Sequence, residues 1–227
     1  EDLLKCLDSI LAQTFPNFEV VIIDDEPIIV EGLSMIAALK VEFPDMEILL
    51  GVEANTMRIE PYIDVPASER GDYNILLAGY HYGIRHAGMI ANYAYKHAGF
   101  FRGEDSSLKV ANTAMILDCL YFNEEAGNHI DVLTHPGDKG PFDIEDIAKA
   151  CADTGTLIEI NDKHAHLTVE EIKIAAKFDV SFIIGSDAHV PEKVGSFEGP
   201  LRRALEAGLD PGRIVNISLA NEGQKEI

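Results

Sequence analysis

The sequence predicts an α/β protein whose core is a parallel β-sheet, either open or closed into a β/α barrel. Six short apolar runs are bounded by turn residues, a pattern typical of buried parallel strands. Segments with the apolar spacing of surface helices alternate with these runs along the chain. The length of 227 residues suits one domain, and β/α barrels are often close to this size.

Each predicted strand ends in, or is followed by, a side chain that can bind a metal ion. In a β/α barrel the carboxyl ends of all strands lie on one face, so these side chains can share a cavity. Oxygen and imidazole ligands in such positions indicate a metal site. The strands and the residues that follow them are 20–23 before Asp24-Asp25-Glu26, 48–52 before Glu53, 75–80 before His81, 130–134 before His135, 157–160 before Asn161, and 182–186 before Asp187-Ala188-His189.

The helices are predicted from apolar side chains at the 3.6-residue spacing and from signals at the helix ends. Pro27 suits a first helical turn, and Thr168 with Glu171 forms a capping box. Gly208 is typical of a helix C-terminus. The predicted helices cover 2–13, 27–40, 106–126, 143–153, 168–177 and 197–207, and a last short strand covers 213–217.

Residues 1–227 are predicted to form a single domain, because no internal repeat, low-complexity tract or flexible linker divides them. Residues 83–105 are the least regular part and are rich in Tyr, His and Gly. We interpret them as a lid or an insertion beside the site. The chain opens within a predicted helix, without a strand before it. We therefore expect either that a first strand precedes Glu1 or that the barrel lacks its first strand in this chain.

The net charge of the chain indicates which kinds of molecule it can bind. Lysine and arginine total 18 against 39 acidic residues, so the formal net charge is −21. This field repels a phosphate backbone, which argues against a broad nucleic-acid-binding surface. A phosphorylated small molecule is still compatible, because bound divalent cations reverse the sign of the potential locally.

The cysteines and the apolar runs indicate the compartment. Cys6, Cys119 and Cys151 form no CxxC pair and lie in apolar helical contexts. We expect buried thiols in a reducing compartment. No apolar run reaches the length of a membrane span, and no leader with a cationic and then an apolar part is visible. The sequence therefore predicts a cytoplasmic protein without membrane contact.

Four of the strand-end motifs carry groups that bind divalent ions. Asp187 and His189 are the most specific pair, because two residues of that spacing at one strand end can reach two neighbouring metals. Glu53, His81 and His135, taken singly, are more often a loop acid or half-buried histidines, but all share one topological position. Zinc, manganese or iron accept such ligands. Two ions ~3.5–4 Å apart generate hydroxide and clamp both oxygens of a displacement at phosphorus.

Residues beyond the strand ends are candidates for supporting roles. His164 and His166 mimic a His-x-His metal pair, but they lie in a loop, so we interpret them as substrate contacts or exposed residues. Each ligating imidazole also needs an orienting partner on its second nitrogen. Candidate partners are Thr134, Asn161 and Ser186, and candidate phosphate-binding cations are Lys139, Lys163 and Arg58.

Six motifs occur in the order and spacing of a known family. They are Gly-Val-Glu-Ala-Asn at 51–55, Ala-Gly-Tyr-His at 78–81, Thr-His-Pro-Gly at 134–137, Glu-Ile-Asn at 159–161, Gly-Ser-Asp-Ala-His at 185–189 and Arg-Ile-Val-Asn at 213–216. From about residue 47 to 217, the chain resembles the PHP (polymerase and histidinol phosphatase) superfamily, in particular its small bacterial metal-dependent phosphoesterases.

The resemblance implies a distorted (β/α)7, TIM-like barrel that holds up to three metal ions. It implies that Glu53 bridges two ions and that His81 and His135 complete the first of them. Asp187 would bind the second ion together with Glu53, and His189 would bind a third. On this basis Glu53, His135 and Asp187 are the predicted catalytic residues.

The chain departs from the family pattern near its start. The family's first strand carries a His-x-His pair for the second ion, which this sequence lacks. The family's second strand ends in Thr-Asp-His, where this chain has Asp24-Asp25-Glu26. Glu26 or Asp25 could replace that histidine as an oxygen ligand of the third ion, or the third site could be lost.

Two other families resemble the beginning of the chain. Residues 3–25 look like the opening of a family 2 glycosyltransferase, and residues 21–27 look like the first strand and acidic pocket of a response-regulator receiver. Neither pattern continues, because no later Asp-x-Asp and no acceptor aspartate follow. These resemblances are therefore confined to one helix, one strand and its acidic residues.

The sequence thus predicts a phosphoesterase that hydrolyses a phosphate monoester through a metal-bound hydroxide, with one to three Zn, Mn or Fe ions per chain. The predicted substrate-binding residues are Asn161, Lys139, Lys163 and Arg58. The alternative is a catalytically degenerate PHP domain that binds metal or a protein partner. An amidohydrolase is a third hypothesis, although it would also need an early His-x-His and a strand-end lysine.

Overall fold

The computed structural model describes residues 19–24, 29–44, 46–81, 89–98 and 107–217. These residues form an α/β fold around one parallel sheet, which confirms the prediction of an α/β protein with a parallel sheet. Each described strand pairs in parallel with the next strand along the chain, so the order in the sheet is the order in the sequence. The strands are β1 Glu19–Asp24, β2 Glu47–Asn55, β3 Ile75–Gly79, β4 Val132–Leu133, β5 Leu157–Asn161 and β6 Phe182–Gly185.

Helices connect the strands, mostly where apolar periodicity predicts them. One helix lies inside the stretch 83–105, which the sequence analysis interprets as a lid or insertion. The predicted helix at 2–13 lies outside the described residues. The described helices are α1 Ile29–Glu42, α2 Met89–Ala98, α3 Ser107–Glu125, α4 Ile144–Thr154, α5 Val169–Ala175 and α6 Glu198–Glu206.

The structure confirms the predicted capping box at the start of α5 and the predicted glycine after the end of α6. The Thr168 hydroxyl accepts a hydrogen bond from the backbone of Glu171, whose side chain in turn accepts from the backbone of Thr168. This reciprocal pair satisfies two amides that a helix start leaves without partners. Gly208 follows α6 with φ +72°, a conformation that glycine adopts without a steric penalty.

A single backbone pairing continues the sheet beyond β6, where the sequence predicts a strand at 213–217. Phe182 and Ile214 form an isolated parallel bridge. The prediction of a strand is wrong because side chains satisfy the neighbouring backbone groups. The Asn216 amide accepts from Ile184 N at 3.0 Å and donates to Ile184 O at 2.8 Å. The Arg213 guanidinium donates to carbonyl oxygens of Ala176, Phe178 and Val180.

The core lies between the sheet and the helices. Strand residues such as Ile48, Leu76 and Phe182 are fully buried there, and helical residues pack against them. Cys119 and Cys151 are buried free thiols, as predicted, while Cys6 lies outside the described residues. Burial raises the pKa of both thiols far above the ordinary value. They are therefore core residues rather than reactive groups.

None of the helices in the described part of the chain is long and apolar enough to cross a membrane.

Candidate metal centre

The carboxyl ends of β2, β3 and β4 bring together the first group of candidate ligands, Glu53, His81 and His135. Glu53 Oε1 lies 3.3 Å from His81 Nε2 and 3.2 Å from His135 Nε2. One donor atom from each residue lies within 4.8 Å of the others. A carboxylate and two imidazoles in this arrangement suit a divalent ion. We call these three residues the strand-end group.

Glu53 occupies a different place in its strand from the one the sequence predicts. β2 continues to Asn55, so Glu53 lies within the strand rather than beyond it. The extension arises because Ala54 and Asn55 still pair with Ala78 and Gly79 of β3. Glu53 and Asn55 are two positions apart and therefore lie on the same face of the sheet.

A relay of polar side chains orients His81. Its Nδ1 lies 2.8 Å from Asn55 Oδ1, which can only accept, so Nδ1 carries the proton and Nε2 presents its lone pair to the centre. The Asn55 amide nitrogen donates in turn to Asp64 Oδ2 at 2.5 Å, which fixes the orientation of the amide. Neither Asn55 nor Asp64 was predicted to orient a ligand. The position of Asn55, two residues after Glu53, is the signal that could have identified it.

The environment of Glu53 keeps its carboxylate ionised. Burial alone would raise its pKa, but the His135 and His81 rings beside the carboxylate outweigh this effect and hold the pKa of Glu53 well below its usual range. The Thr134 hydroxyl also donates to Glu53 Oε1 at 2.6 Å. Thr134 therefore supports the carboxylate rather than a histidine, the role for which the sequence analysis considered it.

Gly79 allows β3 to approach this carboxylate. A Cβ at Gly79 would lie 2.3 Å from Thr134 Oγ1 and 2.8 Å from Glu53 Oε1. Real Cβ atoms do not come so close to other atoms, so a side chain here would displace both groups. The lack of space beside Thr134 and Glu53 therefore explains why a glycine occupies this position of the Ala-Gly-Tyr-His motif.

His135 is the most buried of the three residues, with 4% of its surface exposed. Burial lowers its pKa against the opposing effect of Glu53, which favours the neutral imidazole that metals bind. Its backbone N–H donates to Glu159 Oε2 at 2.9 Å. The backbone is therefore held by one carboxylate while the ring faces another.

A second set of candidate ligands adjoins the first and consists of His135, His164 and Asp187. His164 Nε2 lies 3.1 Å from Asp187 Oδ2. His164 Nδ1 lies 3.0 Å from Asp138 Oδ2, on the opposite edge of the ring. His164 and Asp187 follow β5 and β6, and we call them the loop pair. The interpretation of His164 as an exposed residue is wrong, since its side chain is 18% exposed.

Glu159 and Asn161 lie buried beneath both sets. Asn161 Nδ2 lies 3.0 Å from Glu159 Oε2 and 3.2 Å from Asp187 Oδ2, and Asn161 Oδ1 accepts from His164 N at 2.8 Å. Burial raises the pKa of Glu159 to about 7, although hydrogen bonds from Asn161 and His135 oppose the effect. The sequence analysis treated Glu159 only as part of a strand motif.

Several other predicted site residues lie outside the two groups found among the described residues. The His189 side chain is 61% exposed, and its Nδ1 lies 3.3 Å from Asp187 Oδ1. Lys163 Nζ lies 3.0 and 2.9 Å from the two ring nitrogens of His189 and 3.5 Å from Asp187 Oδ1. Asp25 and Glu26 are among the residues that the structure does not describe.

The remaining two predicted cations have protein partners. Lys139 Nζ forms an ion pair with Asp138 and lies 3.3 Å from His164 Nδ1. Arg58 donates to Asn112 Oδ1 at 3.1 Å, while its Nε is buried without a hydrogen-bond partner. Lys139 therefore lies beside the loop pair, whereas Arg58 is anchored to α3.

Comparisons with known proteins agree with this fold. A family model described as PHP-associated matches residues 170–197. A protein of Shewanella halifaxensis named as a probable phosphatase is 29% identical over 180 residues, covering 75% of this chain and 63% of the relative. A probable phosphatase of Proteus mirabilis is 29% identical over 197 residues, covering 79% and 70%.

A third relative and one solved structure are also similar to this chain. A probable phosphatase of Syntrophotalea carbinolica is 32% identical over 135 residues, covering 54% of this chain and 53% of the relative. The crystal structure of a Listeria monocytogenes protein named as a histidinol phosphatase matches 86% of this chain and 90% of its own, with a TM-score of 0.56 and 13% identity. That likeness concerns the fold alone. The chain spans less than two thirds of the length of the Shewanella relative.

Proposed function

We propose that this chain is a member of the PHP superfamily and a metal-dependent hydrolase of phosphate monoesters. The observation that carries the proposal is the strand-end group, in which Glu53, His81 and His135 direct three donor atoms to one place. The probable phosphatases among its relatives support the reaction class. The consecutive parallel strands support the proposed (β/α)7, TIM-like barrel.

The donor chemistry fits a divalent cation. Glu53 is ionised and His135 is neutral, the forms in which both side chains bind metals. His81 is held in the tautomer that leaves Nε2 available. These three residues would hold a zinc, manganese or iron ion, which would acidify a water molecule and offset the negative charge of the phosphoryl oxygens. We propose one to three such ions per chain.

The residues around the donors suit a small anionic substrate. Lys163 and Lys139 carry the positive charges beside Asp187 and His164, where a phosphate could replace their present carboxylate partners. Asn161 holds Asp187 and His164 in position, and Asp187 is the third proposed catalytic residue. Arg58 follows the end of β2 by three residues, and we propose that it binds the remainder of the substrate. The net charge of −21 fits a small phosphorylated molecule in the cytoplasm better than a nucleic acid.

An aryl phosphatase assay tests the proposal. Purified protein with added Mn²⁺ should hydrolyse p-nitrophenyl phosphate, and His135→Ala should reduce kcat/KM by at least about 10²-fold, since even residues that merely orient metal ligands cost 10–100-fold. His129→Ala is the matched control, because His129 is exposed and contacts Glu124 instead of the centre. Equal turnover in the wild type and His135→Ala would refute the proposal.

The second candidate is a PHP domain that binds metal without hydrolysis. It is favoured by the position of His189, which lies against the Lys163 ammonium, although the family pattern assigns it to a third ion. A missing third ion would leave the phosphate less well neutralised. Retained metal in a protein that turns over none of a panel of phosphate monoesters would support this candidate.

A further inference from the structure

We propose that His164 is a metal ligand that works with Asp187, and that Asp138 is the carboxylate that orients it. This assignment rests on the proposed metal centre and adds a ligand from the loop after β5. That loop is distinct from the strand ends on which the sequence motifs lie. It gives the second ion a protein nitrogen donor in addition to the Asp187 carboxylate.

The first argument is the geometry of the imidazole. His164 lies between two carboxylates, with Nδ1 3.0 Å from Asp138 and Nε2 3.1 Å from Asp187. Metal-bound histidines almost always donate their other N–H to a carboxylate, a carbonyl or water, which fixes the tautomer and the ring plane. Asp138 is 8% exposed and is positioned for this role.

The second argument is that buried groups hold both members of the loop pair. Asn161 is 1% exposed, and its two polar atoms are divided between them. The oxygen accepts from the backbone of His164, and the nitrogen donates to the carboxylate of Asp187. A histidine that only filled a surface loop would not need an amide that also positions a neighbouring carboxylate.

The third argument concerns the number of lone pairs. His135 belongs to both sets. The centroid of its ring lies 5.1 Å from that of His81 and 4.8 Å from that of His164. A neutral imidazole has one lone pair for a metal, and Nε2 of His135 faces Glu53. His135 therefore serves one ion, and a second ion needs His164 and Asp187.

Metal binding, measured independently of turnover, tests the assignment. Chelator-treated protein is dialysed against Co²⁺, and bound cobalt is measured by elemental analysis and by its visible absorption. Compared with the wild type, His164→Ala should lose one ion or bind it at least about 10-fold more weakly, while cobalt in the strand-end group remains. Asp138→Asn should keep the ion but lower the affinity for it about 10–100-fold.

The control is His166→Ala, the other histidine of the same loop, whose Nδ1 lies 3.3 Å from Glu171. It should bind cobalt as the wild type does. Wild-type cobalt content, affinity and spectrum in His164→Ala would overturn the assignment, as would a wild type that binds no cobalt. Circular dichroism of each variant separates loss of the ligand from loss of the fold. A protein that binds cobalt through His164 but hydrolyses no phosphate ester would refute only the proposed phosphoesterase.

Discussion

The strand-end group and the loop pair both lie at the carboxyl ends of the strands but are built in different ways. Glu53, His81 and His135 lie in or directly after three neighbouring strands, so the pairing of the sheet sets their spacing. His164 and Asp187 depend on their own network of side chains, formed by Asp138, Asn161 and Lys163. A sheet therefore supplies ligands directly, whereas a loop needs buried polar groups to position them.

The backbone conformations of the two regions show the same difference. Asp187 has φ +48°, and Ala165, next to His164, has φ +55°. Non-glycine residues in this region cost of order 1–3 kcal/mol each and persist where the surroundings hold them. In the strand-end group, His81 follows regular strand backbone, and His135 alone has a positive φ, of +29°. The loop pair thus depends more on its hydrogen bonds.

The largest expected effect is the loss of the carboxylate from the strand-end group. Glu53→Gln keeps the size of the side chain but removes the charge that two imidazoles surround. We expect one ion to be lost and kcat/KM for an aryl phosphate to fall by at least about 10²-fold. Asp187→Asn, the corresponding change in the loop pair, should cost less because the strand-end donors remain.

Elemental analysis and steady-state kinetics on both variants check this ranking. Asn at position 187 can still accept hydrogen bonds, so the variant is a matched amide-for-carboxylate change. If Asp187→Asn lost both ions and Glu53→Gln lost neither, the loop pair would be the principal site, and the ranking would be reversed.

A second prediction concerns Glu159, which connects the two regions. Its pKa rises from 4.5 to about 7 in the folded protein because of burial. The folded state then binds its proton more tightly than the unfolded state. The stabilisation is present below about pH 4.5 and is lost as pH rises through about 7. This difference corresponds to a free energy on the order of 3 kcal/mol.

Urea unfolding of the chelator-treated protein between pH 5 and 8 measures this loss. Glu159→Gln should show a weaker decline, since glutamine does not titrate and its carbonyl can still accept from His135 N and Asn161 Nδ2. Parallel stability curves for the wild type and Glu159→Gln would mean that Glu159 is not protonated in the fold.

The same contrast explains which parts could be predicted from the sequence. Apolar runs and the polar residues after them are local signals, so the parallel sheet and the positions of Glu53, His81 and His135 are visible in the sequence. The His164–Asp187 contact joins two loops through Asn161, and no local pattern encodes it. The strand predicted at 213–217 was wrong because Asn216 replaces strand pairing with side-chain hydrogen bonds, which apolar content cannot reveal.

The smallest expected effect is steric and occurs at Gly185, the last residue of β6, which lies against the Glu159 side chain. A Cβ there would lie 1.9 Å from Glu159 Oε1, and this buried side chain holds His135 and Asn161. Gly185→Ala should therefore lower the free energy of unfolding by about 1–3 kcal/mol. Gly71→Ala is the control, because nothing lies within 4 Å of a Cβ at that position.

A double-mutant cycle connects this effect to Glu159. Glu159→Asp shortens the side chain by one methylene, which makes room for the methyl group of Gly185→Ala but withdraws the carboxylate from its donors. The two changes together should destabilise the protein by less than the sum of the single changes, since each single change disturbs the same contact. Urea unfolding of the four proteins measures the difference. Strict additivity would show that Gly185 and Glu159 do not constrain each other, and that the close approach of β6 is not what holds the carboxylate beneath both regions.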